Sequence, residues 1–221
     1  MPTYESIIFD LDGTLVDSAP GIEYALRESI RLILPETVID LTNIRANIGP
    51  PLPDLVRQLL PDTTPEVVNR VATRFRSIYD DFGWQKTRLY ETAIETLSRL
   101  RDLHIRCFLV TNKRLTPTRQ ILQGFGLLPF FADIATADSD PRTLQSKESM
   151  IRYLISEHLL NPARTLMIGD TRSDATAARI CGMDFAVAVY GYGSVHTENE
   201  WQGKYTLHKL ADLLQIVSGP T

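Results

Sequence analysis

The chain has 221 residues, of which 43% are hydrophobic and 23% are charged, and its formal net charge is −4. This composition is typical of a globular protein with a sizeable core. The mild negative charge argues against nucleic acid or an anionic membrane as the main partner. No apolar run approaches the roughly 20 residues that span a bilayer, and the first residues lack a basic signal-peptide region. We therefore expect a cytoplasmic protein with neither nucleic-acid nor membrane partners.

The cysteines and histidines do not form a metal-binding or redox motif. Cys107 and Cys181 are far apart, lie in or beside apolar segments and lack C-x-x-C spacing, so we predict reduced, buried thiols. The histidines also lack metal-ligand spacing, and nothing marks one of them as a catalytic base. They are His104, His158, His196 and His208.

The first predicted strand, 6–10, ends in two carboxylates, Asp10 and Asp12, followed by Gly13 and Thr14. Side chains alternate along a strand, so Asp10 and Asp12 should point to the same side. Two like charges beside an apolar core repel each other and are poorly solvated, which favours a hard divalent cation such as Mg²⁺. The alternative is that one of these aspartates only caps the following helix.

The next part of the chain has helical patterns without a strand-like run. Apolar spacing predicts helices over 19–34, 52–60 and 65–79. Thr64 is a candidate N-cap, with Pro65 at the first helical position. We therefore predict a separate helical domain over 17–86.

Helices and strands alternate regularly after this domain. Strands are predicted over 105–110, 132–135, 165–168 and 185–189, and helices over 90–103, 116–125, 147–157, 173–181 and 207–217. This alternation predicts an α/β fold, a doubly wound parallel sheet with helices on both faces. The sheet domain comprises 1–16 and 87–221, with the helical domain inserted after its first strand.

Polar residues follow the predicted strands, where ligands bind in open parallel sheets. The strand 105–110 is followed by Thr111, Asn112 and Lys113, which offer a hydroxyl and turn amides to phosphate oxygens. The alternative is that Thr111 simply ends a strand.

A second acidic pair follows the strand 165–168, where Gly169 precedes Asp170 and Asp174 comes four residues later. Lys147 starts a predicted helix, where the helix dipole does not favour a cation. Taken singly, Asp170 could be a helix cap and Lys147 a solvated surface residue. Their order at successive strand ends favours a shared site.

Together these motifs resemble the haloacid dehalogenase superfamily phosphohydrolases. The pattern of that family is D-x-D-G-T, a strand ending in Thr or Ser, a Lys, and G-D-x-x-x-D. It is matched by Asp10 to Thr14, Thr111, Lys147, and Asp170 with Asp174. The resemblance covers the whole chain and implies a Rossmann-like core with the helical insertion as a cap domain.

The resemblance implies a nucleophile, an acid and a metal site. Asp10 would attack phosphorus and form an aspartyl-phosphate, while Asp12 would protonate the leaving oxygen and later activate water. Mg²⁺ would be held by Asp10, the backbone carbonyl of Asp12, and Asp170, with Asp174 acting through water or by orienting its neighbours. Mg²⁺ is thus the expected cofactor.

The remaining motif residues would hold the phosphate. Thr111, the Asn112 amide and the catalytic Lys147 would contact its non-bridging oxygens. A dehalogenase lacks the second aspartate, so Asp12 points to a phosphomonoester of a small metabolite. We also expect a monomer or a weak homodimer.

The substrate itself is indicated by weaker features. Gly49 and Pro50 lie in the candidate substrate loop of the cap, although this loop could be a plain helix connection. The sequences 111–113 and 190–193 are similar to the T-N-K and W-G-Y-G of phosphoglycolate phosphatases. However, Glu148 replaces the usual proline after Lys147, and 141–147 with 190–194 look more like the 5'-nucleotidase-like branch. Tyr79 and Trp84 could stack on a nucleobase, although packing of the cap helices is the commoner role of such aromatic residues.

We therefore expect a Mg²⁺-dependent phosphomonoester hydrolase, phosphoglycolate phosphatase-like, with a 5'-nucleotidase-like phosphatase as the main alternative. A β-phosphoglucomutase-type phosphomutase shares the core motifs and is a weaker alternative. A non-enzymatic phosphoacceptor of the receiver type is the weakest, because the nucleophile here lies after the first strand and a helical cap has no purpose there.

Overall fold

The computed structural model describes residues 3–42, 44–139, 146–193 and 203–218. The chain divides into two compact units. The core unit comprises Met1–Asp17 and Leu89–Thr221, and the helical unit comprises Ser18–Arg88. The assignment of the helical unit as a cap stays a prediction.

Six strands of the core unit form one parallel sheet in the order β5-β4-β1-β6-β7-β8. They are β1 Ser6–Phe9, β4 Arg106–Thr111, β5 Phe131–Thr136, β6 Thr165–Gly169, β7 Asp184–Ala188 and β8 Tyr205–Leu207. In the centre, Phe9 pairs with both Leu109 and Ile168. The three central strands therefore end at the same edge of the sheet.

Helices cover this sheet on both faces. They are α5 Ala93–Asp102, α6 Leu115–Gly124, α7 Lys147–His158, α8 Arg172–Ile180 and α9 Leu213–Ser218. On one face, Ile8 belongs to a buried cluster with Met150 and Leu154 of α7. Its neighbours Ile7 and Phe9 point to the opposite face and are also fully buried. The doubly wound α/β prediction is confirmed.

The C-terminal helix predicted over 207–217 is present but begins later than expected, at Leu213. The segment forms the edge strand β8, which pairs Tyr205 with Ala186 and Leu207 with Ala188, then a 3₁₀ turn and the short α9. Asp212 accepts hydrogen bonds from the backbone of His208 and Lys209 and so ends the extended stretch. Three strand residues are too few to show alternation in the sequence.

Two further strands, β2 Val16–Asp17 and β3 Arg88–Leu89, form a separate two-stranded sheet. They were not predicted, because two residues carry no periodic pattern. Cys107 and Cys181 are buried free thiols, as predicted, and burial raises the pKa of Cys107 to about 12.

The helical unit contains α1 Ala19–Ile33, α2 Ile44–Asn47, α3 Leu52–Leu59 and α4 Pro65–Asp81, followed by a 3₁₀ turn. Leu26, Val56 and Val71 belong to its own buried cluster. Thr64 caps α4 by accepting a hydrogen bond from the Val67 amide at 3.4 Å. None of the helices in the described ranges is both long and apolar enough to cross a membrane.

Candidate active site

The polar ends of three neighbouring strands form the candidate site. Asp10 follows β1, Thr111 ends β4 and Asp170 follows β6. The parallel register continues one residue past β1, since the Asp10 amide donates to the Ile168 carbonyl at 2.9 Å. The sheet therefore delivers Asp10 and Asp170 to one edge, as predicted from the order of the strands.

Lys147 joins this edge from the start of α7. Its Nζ donates to Asp10 Oδ1 at 2.7 Å and to Asp174 Oδ1 at 2.5 Å, and the residue is only 6% exposed. Burial lowers the pKa of Lys147, but the charges of Asp10 and Asp174 outweigh that effect and raise it above its ordinary value. The ammonium therefore remains charged, and the two carboxylates explain a cation at a helix start.

Three buried carboxylates are grouped around this lysine. Asp10, Asp170 and Asp174 each supply one oxygen, and these oxygens all lie within 4.8 Å of one another. Burial raises the pKa of Asp10 well above its ordinary value against the opposing charge of Lys147, and Asp174 and Asp170 raise it further. Burial and the Asp174 charge also raise the pKa of Asp170 to about 6. Crowded, poorly solvated carboxylates are stabilised by a cation.

The donor set fits a hard divalent cation. Asp170 Oδ1 is buried and has no hydrogen-bond partner within the described part of the chain. Carboxylate oxygens in a close group are the ligands that Mg²⁺ takes in proteins. Asp10 and Asp170 would hold the ion.

Asp174 has a different set of contacts. Its Oδ1 accepts from Lys147, and its Oδ2 accepts from the backbone and hydroxyl of Thr171 at 3.0 and 2.5 Å. Both oxygens are therefore engaged, which favours the predicted orienting role of Asp174 over direct ligation. The bond from the Thr171 amide, together with the Asp174 amide donating to Thr171 Oγ1 at 3.4 Å, forms the capping box that starts α8.

The side chain of Asp12 lies outside the group of three carboxylates. Its Oδ2 forms an ion pair with Lys113 Nζ at 3.1 Å, and the two side chains are 17% and 8% exposed. Metal ligation by the Asp12 carbonyl stays a prediction. The ion pair of Lys113 with Asp12 was not predicted from the sequence. The only signal there was a basic residue two positions after the end of β4.

The predicted phosphate-binding residues lie in the turn after β4. Thr111 is buried, and its Oγ1 accepts a hydrogen bond from the Lys113 amide at 3.1 Å. Asn112 is exposed. The contact between Thr111 and Lys113 shapes the turn, while phosphate binding by Thr111 and Asn112 stays a prediction.

A family model described as haloacid dehalogenase-like hydrolase matches residues 7–188. The chain belongs to this family. The predicted family is thereby confirmed, and the chain is a hydrolase of the haloacid dehalogenase-like type.

Two relatives that cover most of this chain carry different names. A phosphoglycolate phosphatase of Vibrio vulnificus is 30% identical over 218 residues, which cover 96% of this chain and 95% of the relative. The tyrosine-protein kinase PtkA of Mycobacterium tuberculosis is 33% identical over 190 residues, covering 85% of this chain and 62% of that protein.

A solved structure agrees over nearly the full length. A haloacid dehalogenase-like family hydrolase from Streptococcus pneumoniae is 27% identical, with a TM-score of 0.87, and the match covers 96% of this chain and 97% of that one. The haloacid dehalogenase-like α/β fold is thereby confirmed.

The predicted substrate loop of this hydrolase lies in the helical unit, between α2 and α3. Gly49 has a φ of 138°, a backbone conformation that favours glycine, and Pro50 is exposed. Contact of Gly49 and Pro50 with substrate stays a prediction. The residues 141–145 and Ser194, which entered the comparison with nucleotidases, lie outside the described residues.

Proposed function

We propose that this hydrolase is a Mg²⁺-dependent phosphomonoesterase, phosphoglycolate phosphatase-like, that acts through an aspartyl-phosphate on Asp10. The observation that carries the proposal is the buried Lys147 between Asp10 and Asp174, beside an Asp170 oxygen that has no hydrogen-bond partner among the described residues. The phosphoglycolate phosphatase name of the Vibrio vulnificus relative supports the same reaction class.

The chemistry begins at Asp10. Lys147 holds Asp10 Oδ1 at 2.7 Å and so orients the carboxylate as a nucleophile. A bond would form between an Asp10 oxygen and phosphorus while the bond to the leaving oxygen breaks. Asp12 would supply a proton to that oxygen.

The second step regenerates Asp10. Asp12, now a carboxylate, would take a proton from water as the water oxygen attacks phosphorus and the bond from Asp10 to phosphorus breaks. The products are inorganic phosphate and free Asp10. Bound at Asp10 and Asp170, Mg²⁺ would offset the repulsion between these carboxylates and the phosphate dianion.

The ion pair between Lys113 and Asp12 favours a leaving group that carries a carboxylate. Lys113 Nζ lies 3.1 Å from Asp12 Oδ2. Because Asp12 would protonate the leaving oxygen, Lys113 would lie on the leaving-group side of a bound phosphate. A largely buried ammonium at that place suits a carboxylate such as that of glycolate. We therefore propose 2-phosphoglycolate, or a close phospho-hydroxy acid, as substrate.

The positions of Tyr79 and Trp84 argue against one observation that favoured the nucleotidase alternative. Tyr79 is 2% exposed and stacks on Phe75 inside the helical unit. Trp84 packs against the same buried cluster. The burial of Tyr79 and the packing of the partly buried Trp84 against this cluster do not favour stacking on a nucleobase.

Phosphate release from 2-phosphoglycolate and from nucleoside 5'-monophosphates, with Mg²⁺ or with a chelator, tests the proposal. We expect Mg²⁺-dependent hydrolysis with a preference for 2-phosphoglycolate. Asp10→Asn should lower the rate by about 10⁴-fold, whereas Asp54→Asn, at an exposed carboxylate paired with Arg57, should match the wild type. Asp10→Asn activity equal to the wild type would contradict the catalytic assignment, and preference for nucleotides would favour the 5'-nucleotidase alternative.

A further inference from the structure

The segment Tyr190 to Gly193 follows β7 and makes direct contact with a carboxylate of the candidate metal site. The Tyr192 amide donates to Asp170 Oδ2 at 2.6 Å, and the Gly193 amide donates to the same oxygen at 3.0 Å. Two backbone donors thus fix one oxygen of Asp170. The other oxygen, Oδ1, is buried and without a hydrogen-bond partner among the described residues.

This arrangement separates the two oxygens of Asp170. Hydrogen bonds to a carboxylate favour its ionised form and restrict its rotation. Because Oδ2 is committed to the backbone of the segment, Oδ1 is the oxygen left for a cation. The carboxylate is therefore held in one orientation before an ion arrives.

The segment is itself held by two tyrosine hydroxyls. Tyr192 is buried, and its hydroxyl donates to Asp17 Oδ1 at 2.8 Å. The Tyr190 hydroxyl donates to the Thr14 carbonyl at 2.8 Å, and its ring packs edge-to-face on Tyr90. Tyr192 therefore contacts Asp170 through its backbone and Asp17 through its side chain.

Glycines make this close approach sterically feasible. A Cβ atom at Gly191 would overlap Asp170 and the Gly13 carbonyl, and one at Gly193 would overlap the Asp170 backbone. Gly13, with a φ of 84°, lies against the Asp170 carboxylate and likewise leaves no space for a Cβ. The two amides can reach Asp170 Oδ2 because no side chain intervenes.

We propose that Tyr192 is a positioning residue for the metal site: its hydroxyl bond to Asp17 holds the Tyr192 and Gly193 amides on Asp170. The inference rests on the proposed function, in which Asp170 binds a divalent cation. Hydrogen-bond partners of metal ligands commonly change metal affinity by about 10- to 100-fold when they are removed. Tyr192→Phe leaves both amides present and loosens only their anchor, so its effect should be near the lower end of that range.

The test is Mn²⁺ and Mg²⁺ binding to the full chain, measured by electron paramagnetic resonance and isothermal titration calorimetry. Tyr192→Phe should bind about tenfold more weakly than the wild type. Saturating Mg²⁺ should restore phosphate release in the variant, which a general loss of structure would not allow. Tyr4→Phe is the matched control. Tyr4 precedes β1, and its hydroxyl donates to a carboxylate outside the candidate metal site, Asp184, at 2.6 Å. It should bind both ions as the wild type does.

Hydrogen exchange in the wild type gives a second measurement that needs no variant. Mg²⁺ should slow exchange of the Tyr192 and Gly193 amides, because the ion binds the state in which Asp170 accepts from them and so lowers the population of the opened state that exchanges. Wild-type affinity in Tyr192→Phe, or exchange of both amides that does not respond to bound Mg²⁺, would overturn the inference alone. A wild type that binds neither ion would overturn the metal part of the proposed function as well.

Discussion

Two lysine–aspartate pairs of the core unit join an ammonium and a carboxylate in different surroundings. Lys147 lies 2.7 Å from Asp10, and both side chains are 5% exposed. Lys204 also lies 2.7 Å from its partner, Asp184, but these side chains are 51% and 34% exposed. Equal distances therefore do not mean equal interactions.

The carboxyl pKa values move in opposite directions at these two places. At Asp10, burial is the largest effect and raises the pKa in spite of Lys147. At Asp184, burial also raises the pKa, but the hydrogen bonds from Lys204 and Tyr4 outweigh it and the pKa falls below its ordinary value. Burial, more than pairing, distinguishes the candidate catalytic cluster from a surface ion pair.

Replacement of the two lysines should give the largest contrast. Lys147→Met leaves Asp10 and Asp174 buried without their cation, and we expect phosphate release to fall by about 10³-fold or more. Lys204→Met should leave the rate within about twofold of the wild type, because its pair is largely solvated. Steady-state kinetics on 2-phosphoglycolate at saturating Mg²⁺ measure both. Equal rates in the two variants would show that the buried pair of Lys147 matters no more for catalysis than the exposed pair of Lys204.

The Lys113–Asp12 pair has intermediate burial and tests the substrate. Lys113→Met should lower kcat/KM for 2-phosphoglycolate by about 10- to 100-fold, the loss expected for a charge-assisted hydrogen bond. The loss on ethyl phosphate, which has no carboxylate, should be several-fold smaller. A uniform loss on both esters would argue against recognition of a carboxylate by Lys113.

The pH dependence of stability should differ in sign between Asp170 and Asp184. Without metal, the pKa of Asp170 is about 6 in the folded protein, above that of an unfolded carboxyl group. The folded state therefore takes up its proton first, and this contribution becomes more favourable as pH falls through about 6. Between about pH 8 and pH 5, which covers about one pH unit below the folded pKa, the wild type should gain about 1.4 kcal/mol relative to Asp170→Asn.

Asp184 should show the opposite trend. Its lowered pKa stabilises the fold above the ordinary carboxyl value, and the contribution is lost as pH falls through the lowered folded pKa. Urea unfolding of the wild type, Asp170→Asn and Asp184→Asn, in the presence of a chelator, measures both trends. If the stability difference from the wild type changed with pH in the same direction for both variants, burial would not explain the opposite pKa shifts.

The smallest effect is expected for the stability of Lys204→Met. Its exposed ion pair should contribute less than about 1 kcal/mol to the free energy of unfolding, and moderate salt should reduce that contribution. Chemical denaturation at low and high ionic strength provides the measurement. A loss of several kcal/mol would show that the pair is not the solvated one seen here.

Much of the fold could be predicted from the sequence, because its signals are local. Alternating apolar segments marked the central strands and helices, and Thr64 with Pro65 marked the start of α4. The edge strand β8 was missed because Tyr205 to Leu207 form a strand only by pairing with β7. The candidate site was recognisable because Thr111 ends a strand and Asp10 and Asp170 directly follow one.

The sequence by itself determined the family and the parallel sheet, and it nominated the candidate site residues, since most of its motifs directly follow an apolar strand in a set order. Only the tertiary structure decided which groups meet: Lys113 with Asp12, and the Tyr192 amide with Asp170. Such pairs join residues about 100 and 20 positions apart, and local propensity carries no information about them. Burial, which sets the direction of the carboxyl pKa values, likewise depends on how the whole core unit packs.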